Sequence, residues 1–285
     1  NKLIIWLIIN VMHKVIVIAE AGPNHNGKIK LAYKLVDLAK NSGADFVKFQ
    51  YWDPDYLTEG PWDDDGRREI YNKAALNKEK ILLLIKLSEK YNVEFLISAF
   101  GTLGAELIHN LGQDKIKIPS SETTNLKLIK FCANNFDKVL FSAGASTEDE
   151  INEAVEILER GSCKYILMHC VSAYPCDDDR INLKRITWLK NFNVSVGLSD
   201  HTLSTIVPAL AVPLGVEIIE KHFTTSHNLP GRDNKFALEP DKFCEMVTNI
   251  NTAEKAIIDH GINFQDIEKD TVKNYRGRWE SHDYE

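Results

Sequence analysis

Two histidines are the first residues to suggest chemistry. His201 follows the apolar run Val194–Leu198 in VSVGLSDHT, and His222 follows Val216–Ile219 in VEIIEKHFT. An apolar helix is expected between them, from Leu203 to about Leu214, with Gly215 ending it. Strand, helix and strand in this order make a parallel βαβ unit, whose strands lie about 4.8 Å apart when they are neighbours. Imidazoles at the C-terminal ends of two such strands can converge on one divalent metal, with Mn2+, Fe2+, Co2+ and Zn2+ all compatible with nitrogen donors. The plainer alternative is two unrelated polar residues on loops. Glu220 and His222 share a side, because side chains alternate along a strand. Lys48 and Gln50 do the same in DFVKFQ. An ammonium inside an apolar strand is costly to bury without a partner, so Lys48 needs a reason to be there.

The elements that must position these residues repeat regularly. Strands are expected at Val15–Ala19, Asp45–Gln50, Val93–Ile97, Asp114–Ile118, Lys138–Phe141, Lys164–Met168, Val194–Leu198 and Val216–Ile219. Helical periodicity follows each of them, at Lys28–Asn41, Lys78–Tyr91, Leu103–Asn110, up to Ala133 after a cap at Asn125, Thr147–Leu158, Leu183–Lys190, Leu203–Leu214 and Pro240–Ile258. Thr147 and Glu150 form a capping box. Tyr51–Ala75 reads as a polar surface loop or lid, and the residues from Gln265 onward as a tail. Eight β/α units predict an α/β fold, a TIM (β/α)8 barrel in a single domain over residues 15–260. An N-terminal extension 1–14 would precede it and a C-terminal tail 261–285 would follow. A doubly wound open sheet is the alternative, but GPNHNG after the first strand does not fit a G-x-G-x-x-G turn.

Composition narrows the classes of function. With 44 % hydrophobic and 26 % charged residues the chain is ordinary globular material. A net charge of −7 with dispersed basic residues argues against a nucleic-acid partner. The five cysteines, Cys132, Cys163, Cys170, Cys176 and Cys244, form no C-x-x-C pair, which suggests reduced packing thiols in a cytoplasmic protein. The apolar start LIIWLIINVM is too short to span a bilayer and has no leader or cleavage pattern. No membrane partner is expected.

In a TIM barrel the active site lies at the C-terminal ends of the strands. The unusual polar residues of this chain fall there: Glu20, Asn24 and His25; Lys48 and Gln50; Ser98; Lys117, Ser120 and Glu122; Ser142; His169, Ser172 and Tyr174; Ser199, Asp200 and His201; Glu220 and His222. Lysines and serines around one mouth suit phosphate or carboxylate oxygens. Several plainer readings stand beside this one. Lys117 could reach solvent, Glu122 could serve the next helix cap, His25 could order its own loop, and His169 reads as a bonded core residue. From the residues alone, the chain reads as a metal-assisted barrel enzyme acting on a small anionic molecule, with the metal as a Lewis acid on a carbonyl.

Seven stretches carry a resemblance: IAEAGPNHNG (Ile18–Gly27), GADFVKFQ (Gly43–Gln50), KIPSSETTN (Lys117–Asn125), LFSAGAST (Leu140–Thr147), LMHCVSAYP (Leu167–Pro175), VGLSDHT (Val196–Thr202) and EKHFT (Glu220–Thr224). In this order the chain resembles the sialic acid synthases, the phosphoenolpyruvate-condensing nonulosonate synthases. The resemblance implies condensation of phosphoenolpyruvate with the open-chain aldehyde of an N-acetylated amino sugar. A sibling reaction on another sugar or sugar phosphate, or a barrel that needs a partner chain, is the alternative. His201 and His222 would be the metal ligands, with Mn2+ foremost and Mg2+ or Co2+ possible. Lys48, Ser98, Lys117, Ser120, Ser142, Ser172 and Ser199 would form the phosphoenolpyruvate pocket. Glu20, Gln50, Tyr174 and Asp233 would face the sugar, and Glu122, Lys48 and Glu20 would be catalytic. A homodimer is also implied. The chain departs from the family pattern at Asn234 and Ala237, where histidine and serine are usual, and it is expected to lack the antifreeze-like C-terminal domain.

Overall fold

A computed structural model describes residues 15–61 and 63–279. The expected extension 1–14, Trp62 of the polar stretch Tyr51–Ala75 and residues 280–285 of the tail lie outside the described residues. Eight strands, β1 (Ile16–Glu20), β2 (Phe46–Tyr51), β3 (Glu94–Ala99), β4 (Lys115–Ile118), β5 (Lys138–Ser142), β6 (Lys164–Cys170), β7 (Ser195–Asp200) and β8 (Ile218–His222), close into a barrel in chain order. Every neighbouring pair is parallel, including β8 with β1. The expected TIM barrel is therefore the observed fold, and the open sheet is excluded.

Strand alternation divides each strand between two environments. Val47, Phe49, Ile97, Ile118, Phe141 and Leu198 join helix residues such as Leu35, Leu84, Ile129 and Ile151 in one continuous outer core. Ile18, Leu96, Leu140, Ile166, Met168 and Ile218 form a separate buried cluster, with Ile16 and Phe46 packed against it. These residues plug the barrel interior. Two positions further along the same strand faces come Glu20, Ser98, Ser142 and Glu220, so the interior turns from apolar to polar within one residue pair. That step places the polar layer at the C-terminal ends of the strands.

The helices form largely where the periodicity predicts. Lys78–Tyr91 matches residue for residue, and its Asn77 cap accepts from Lys80 N–H at 3.0 Å. The Thr147–Glu150 capping box is present, and Asn125 caps Leu126–Asn135. Three expectations are corrected. The supposed loop Tyr51–Ala75 contains a helix, Arg67–Ala74, which the run of charges hides; Trp52 packs edge-on to Tyr71 at 5.4 Å and buries there. The loop after β1 presses on that helix at Gly27 (φ +72°), where an added Cβ would stand 2.0 Å from Lys73 O. The helix after β7 is shorter than its apolar run, spanning only Val207–Ala211 before a 3-10 turn. Ser204 Oγ accepts from Ile206 and Val207 N–H at 3.1 and 3.2 Å, so Leu203–Ile206 form a turn that precedes the helix. The tail carries a short helix, Lys269–Asn274. Among the described residues no helix is long and apolar enough to cross a membrane.

Replacing Leu140, 2 % exposed inside the barrel, by alanine is expected to cost about 2–5 kcal/mol. Urea unfolding measures this. An unchanged midpoint would show that the interior cluster does not bear on stability.

Candidate active site

The polar layer is built on four buried charges. Lys48 Nζ lies 2.7 Å from Glu20 Oε2 and 3.6 Å from Glu220 Oε1, and donates to Ser98 Oγ at 2.8 Å. Lys117 Nζ donates to Glu220 Oε2 at 2.9 Å. Ser199 Oγ donates to Glu220 Oε1 at 3.1 Å, and Gln50 Nε2 to Glu20 Oε1 at 2.5 Å. Glu220 thus spans both lysines. Burial pushes its carboxyl up, but the ammoniums of Lys117 and then Lys48 outweigh it and hold the group well below the usual carboxylate range. At Glu20 burial wins over Lys48, and the neighbouring Glu220 adds to the rise, so that carboxyl is pushed up to about 7.

The two histidines stand above this layer. His222 ends β8, opposite Glu20 in the register, and His201 follows β7 directly. Their rings are 5.4 Å apart between centroids, and Tyr174 packs against both, at 4.2 Å from His201 and 6.0 Å from His222. The loop after β6 fixes His201: its Nδ1–H donates to Val171 O at 2.7 Å, and Cys176 N–H donates to its carbonyl at 2.9 Å. That tautomer leaves Nε2 as the ring's acceptor nitrogen, and the Cys170 thiol is its hydrogen-bond neighbour in this structure. His222 Nδ1 is buried with no hydrogen-bond partner, and Asp233 Oδ2 lies 3.6 Å away. Burial and then His201 hold His222 well below its ordinary pKa. An uncharged, orphaned imidazole nitrogen beside a second imidazole fits a divalent cation. No group of three or more His, Cys, Asp or Glu side chains among the described residues forms a metal-binding set. A cation here would have the two histidines as its protein donors, an open arrangement unlike a closed structural site.

A cavity of about 330 Å³, counting its open mouth, brings together Glu20, Lys48, Gln50, Ser98, Lys117, Ser120, Ser142, Tyr174, Ser199, His201 and His222. Ser172 is just outside its lining and is bonded to Ser120 Oγ at 2.7 Å. Asp233 is placed at the rim, and burial raises its carboxyl to about 6 against the pull of Arg232. Glu122 does not line the cavity; its Oε2 accepts from the cap residue Asn125 at 2.7 Å. The helix-cap alternative therefore describes the observed contact. Lys117 is 1 % exposed, which excludes its reaching solvent. His169 stays in the core, its Nε2–H donating to Ile181 O at 2.6 Å. His25 accepts from Gly27 N–H at 3.2 Å, ordering its own turn. Asn234 accepts from Thr224 Oγ1 and donates to Pro230 O at 2.8 Å, so it closes the loop after β8.

Two residues gain importance from the structure. Glu220 was visible as a carboxylate at a strand end, but its bridge between lysines on β2 and β4 depends on barrel closure. Cys170, expected to be a packing residue, lines the cavity and hydrogen-bonds His201.

The raised Glu20 pKa has a signed consequence. Between about pH 4.5 and 7 the folded protein holds a proton there that the unfolded chain has released. Glu20 therefore costs stability as pH rises through that window. Buried histidines such as His25, lowered to about 4 by burial and then Lys80, titrate with the opposite sign, so the diagnostic quantity is a difference. Relative to Glu20→Gln, the wild-type protein should lose on the order of 2 kcal/mol of unfolding free energy between pH 5 and 7. Parallel pH profiles for the two proteins in urea would contradict the assignment.

Comparison with known proteins agrees with this architecture. The chain matches the NeuB family over residues 35–261. It is 37 % identical over 263 residues to N,N'-diacetyllegionaminic acid synthase of Campylobacter jejuni, covering 87 % of this chain and 79 % of that one. It is 34 % identical over 254 residues to pseudaminic acid synthase of Helicobacter pylori, covering 85 % and 75 %. The crystal structure of N-acetylneuraminic acid synthetase from Leptospira borgpetersenii, in complex with citrate, superposes with a TM-score of 0.84 at 31 % identity, covering 90 % of each chain. The match spans the strands that supply both the lysines and the histidines, and on this evidence the chain belongs to the NeuB family and is a biosynthetic enzyme of that type.

Proposed function

We propose that the chain condenses phosphoenolpyruvate with the open-chain aldehyde of an N-acetylated amino sugar, giving a nonulosonic acid and phosphate. The observation that carries this reading is the two-level cavity. Its floor holds two lysines and several serine hydroxyls, and its rim holds a pair of imidazoles. Phosphoenolpyruvate has two separate anionic groups, and Lys48 and Lys117 offer two ammoniums on different strands to receive them. Ser98, Ser120, Ser142 and Ser199 add donors around them, and Ser172 supports Ser120.

His201 and His222 would hold a divalent cation, Mn2+ foremost with Mg2+ or Co2+ as alternatives, and a cation there supplies Lewis-acid polarisation of the aldehyde. Gln50, Tyr174 and Asp233 would receive the sugar hydroxyls above it. C3 of the enol attacks the aldehyde carbon, water adds at C2, and phosphate leaves from the resulting tetrahedral centre. Protons must move to the aldehyde oxygen and from the water. Glu20 lines the cavity with its carboxyl raised to about 7, which suits it to carry one of them. Glu122 would have to leave Asn125 to do so.

The test is phosphate release from phosphoenolpyruvate with Mn2+, across a panel of N-acetylated sugars and sugar phosphates, with the product mass recorded. Release that depends on one acceptor, with a mass equal to the condensed product, is expected. No release with any acceptor while Mn2+ is bound would reject the reading. His222→Ala should lose Mn2+ binding and turnover but keep its circular dichroism; retained Mn2+ stoichiometry would reject the ligand assignment.

A further inference from the structure

Immediately before each histidine stands a charged residue that the cavity does not use. Asp200 precedes His201 and Lys221 precedes His222, and the two are opposite each other in the β7–β8 register. Alternation turns both away from the barrel interior. Each is 1 % exposed, and neither lines the cavity. Lys221 Nζ donates to Asp200 Oδ2 and Thr202 O, both at 2.5 Å, to Ser204 O at 3.1 Å and to Thr202 Oγ1 at 3.3 Å. Asp200 answers with both oxygens: Oδ1 accepts from Thr202 N–H at 3.0 Å and Oδ2 from Thr202 Oγ1 at 2.9 Å. The segment from 202 to 204 is thus wound around one buried ammonium.

A buried ion pair is a weak source of net stability, because desolvation offsets most of the attraction. Its better-attested use is to fix one arrangement against others. Here the arrangement it fixes is local. The pair ties the end of β7 to the end of β8 one residue below the two imidazoles, and the Thr202 and Ser204 carbonyls bind the chain leaving His201 to the strand carrying His222.

We infer that Lys221 and Asp200 are positioning residues for the histidine pair: the ion pair, with Thr202 wound around it, sets the separation at which both imidazoles can meet one divalent cation. This rests on the cation reading of His201 and His222. The competing view is that the pair only fills space between barrel and helices.

Mn2+ titration of the metal-stripped protein, followed by electron paramagnetic resonance of free Mn2+, separates the two. Asp200→Asn/Lys221→Met removes both charges while keeping similar shapes. It should weaken Mn2+ binding about 10–100-fold, the usual range for groups that orient metal ligands. Phosphoenolpyruvate binding without Mn2+ should stay within about 3-fold, since Lys48 and Lys117 contact neither residue, and a merely structural loss would lower both affinities together. Unchanged Mn2+ affinity in the folded double variant would overturn the proposal. If the double variant does not fold, Thr202→Val decides: an Mn2+ affinity weakened by about 3-fold or more supports the role, and an unchanged one overturns it. Wild-type protein that binds no Mn2+ would reject the cation reading itself and this inference with it.

Discussion

Glu220 holds two ammoniums at once, and the upper half of the barrel depends on that arrangement. Lys48 comes from β2 and Lys117 from β4, and each would be prohibitively expensive to bury alone. Glu220 on β8 supplies the shared counter-charge, and Glu20 on β1 supplies a second one to Lys48. These groups meet only if the barrel closes, because β1 and β8 must be neighbours for their carboxylates to face the lysines from one side. Closure and the charged layer are therefore mutually dependent. The same arrangement divides the two carboxylates by environment. Glu220, with two ammoniums, stays ionised, while Glu20, with a share of one, is poised to hold a proton.

The histidines depend on a different kind of support. Loops after β6 and β8 shape their immediate surroundings. Val171 sets the tautomer of His201, and Tyr174 and Phe236 pack against the rings. Outside the barrel, Asp200 and Lys221 secure the strand ends beneath them. The site thus has two supporting systems, a charged layer inside the barrel for the lysines, and loop contacts with an outer ion pair around it for the imidazoles.

Much of this was legible in the sequence because strand alternation is local. The pairing of Lys48 with Gln50 on one face, and of Glu220 with His222, needs no tertiary knowledge. The eight-unit rhythm and the caps at Asn125 and Thr147 are local as well. What was not legible depends on register between distant strands. Nothing near Glu220 indicates that residues 48 and 117 will reach it. Lys221 did carry a signal, since a lysine inside the run IIEKHF raises the same question as Lys48, and Asp200 was the available answer. The insert helix Arg67–Ala74 was hidden because only Ile70, Tyr71 and Ala74 interrupt its polar residues. At Glu122 the motif position implied the reacting centre, while the side chain accepts from the helix-cap residue Asn125 at 2.7 Å, a contact set by the local turn.

The apolar plug has a consequence for traffic. Ile18, Leu96, Leu140, Ile166, Met168 and Ile218 seal the barrel below the lysines, so the well is blind-ended. The residues that line the well above this plug include the histidines and Tyr174. A molecule resting on the lysines lies beneath any molecule held at the rim, and the upper one obstructs its path. With ligands at both levels, as proposed, a stacking order would follow: the deeper one would arrive first, and whatever it left at the bottom would depart last unless the rim cleared.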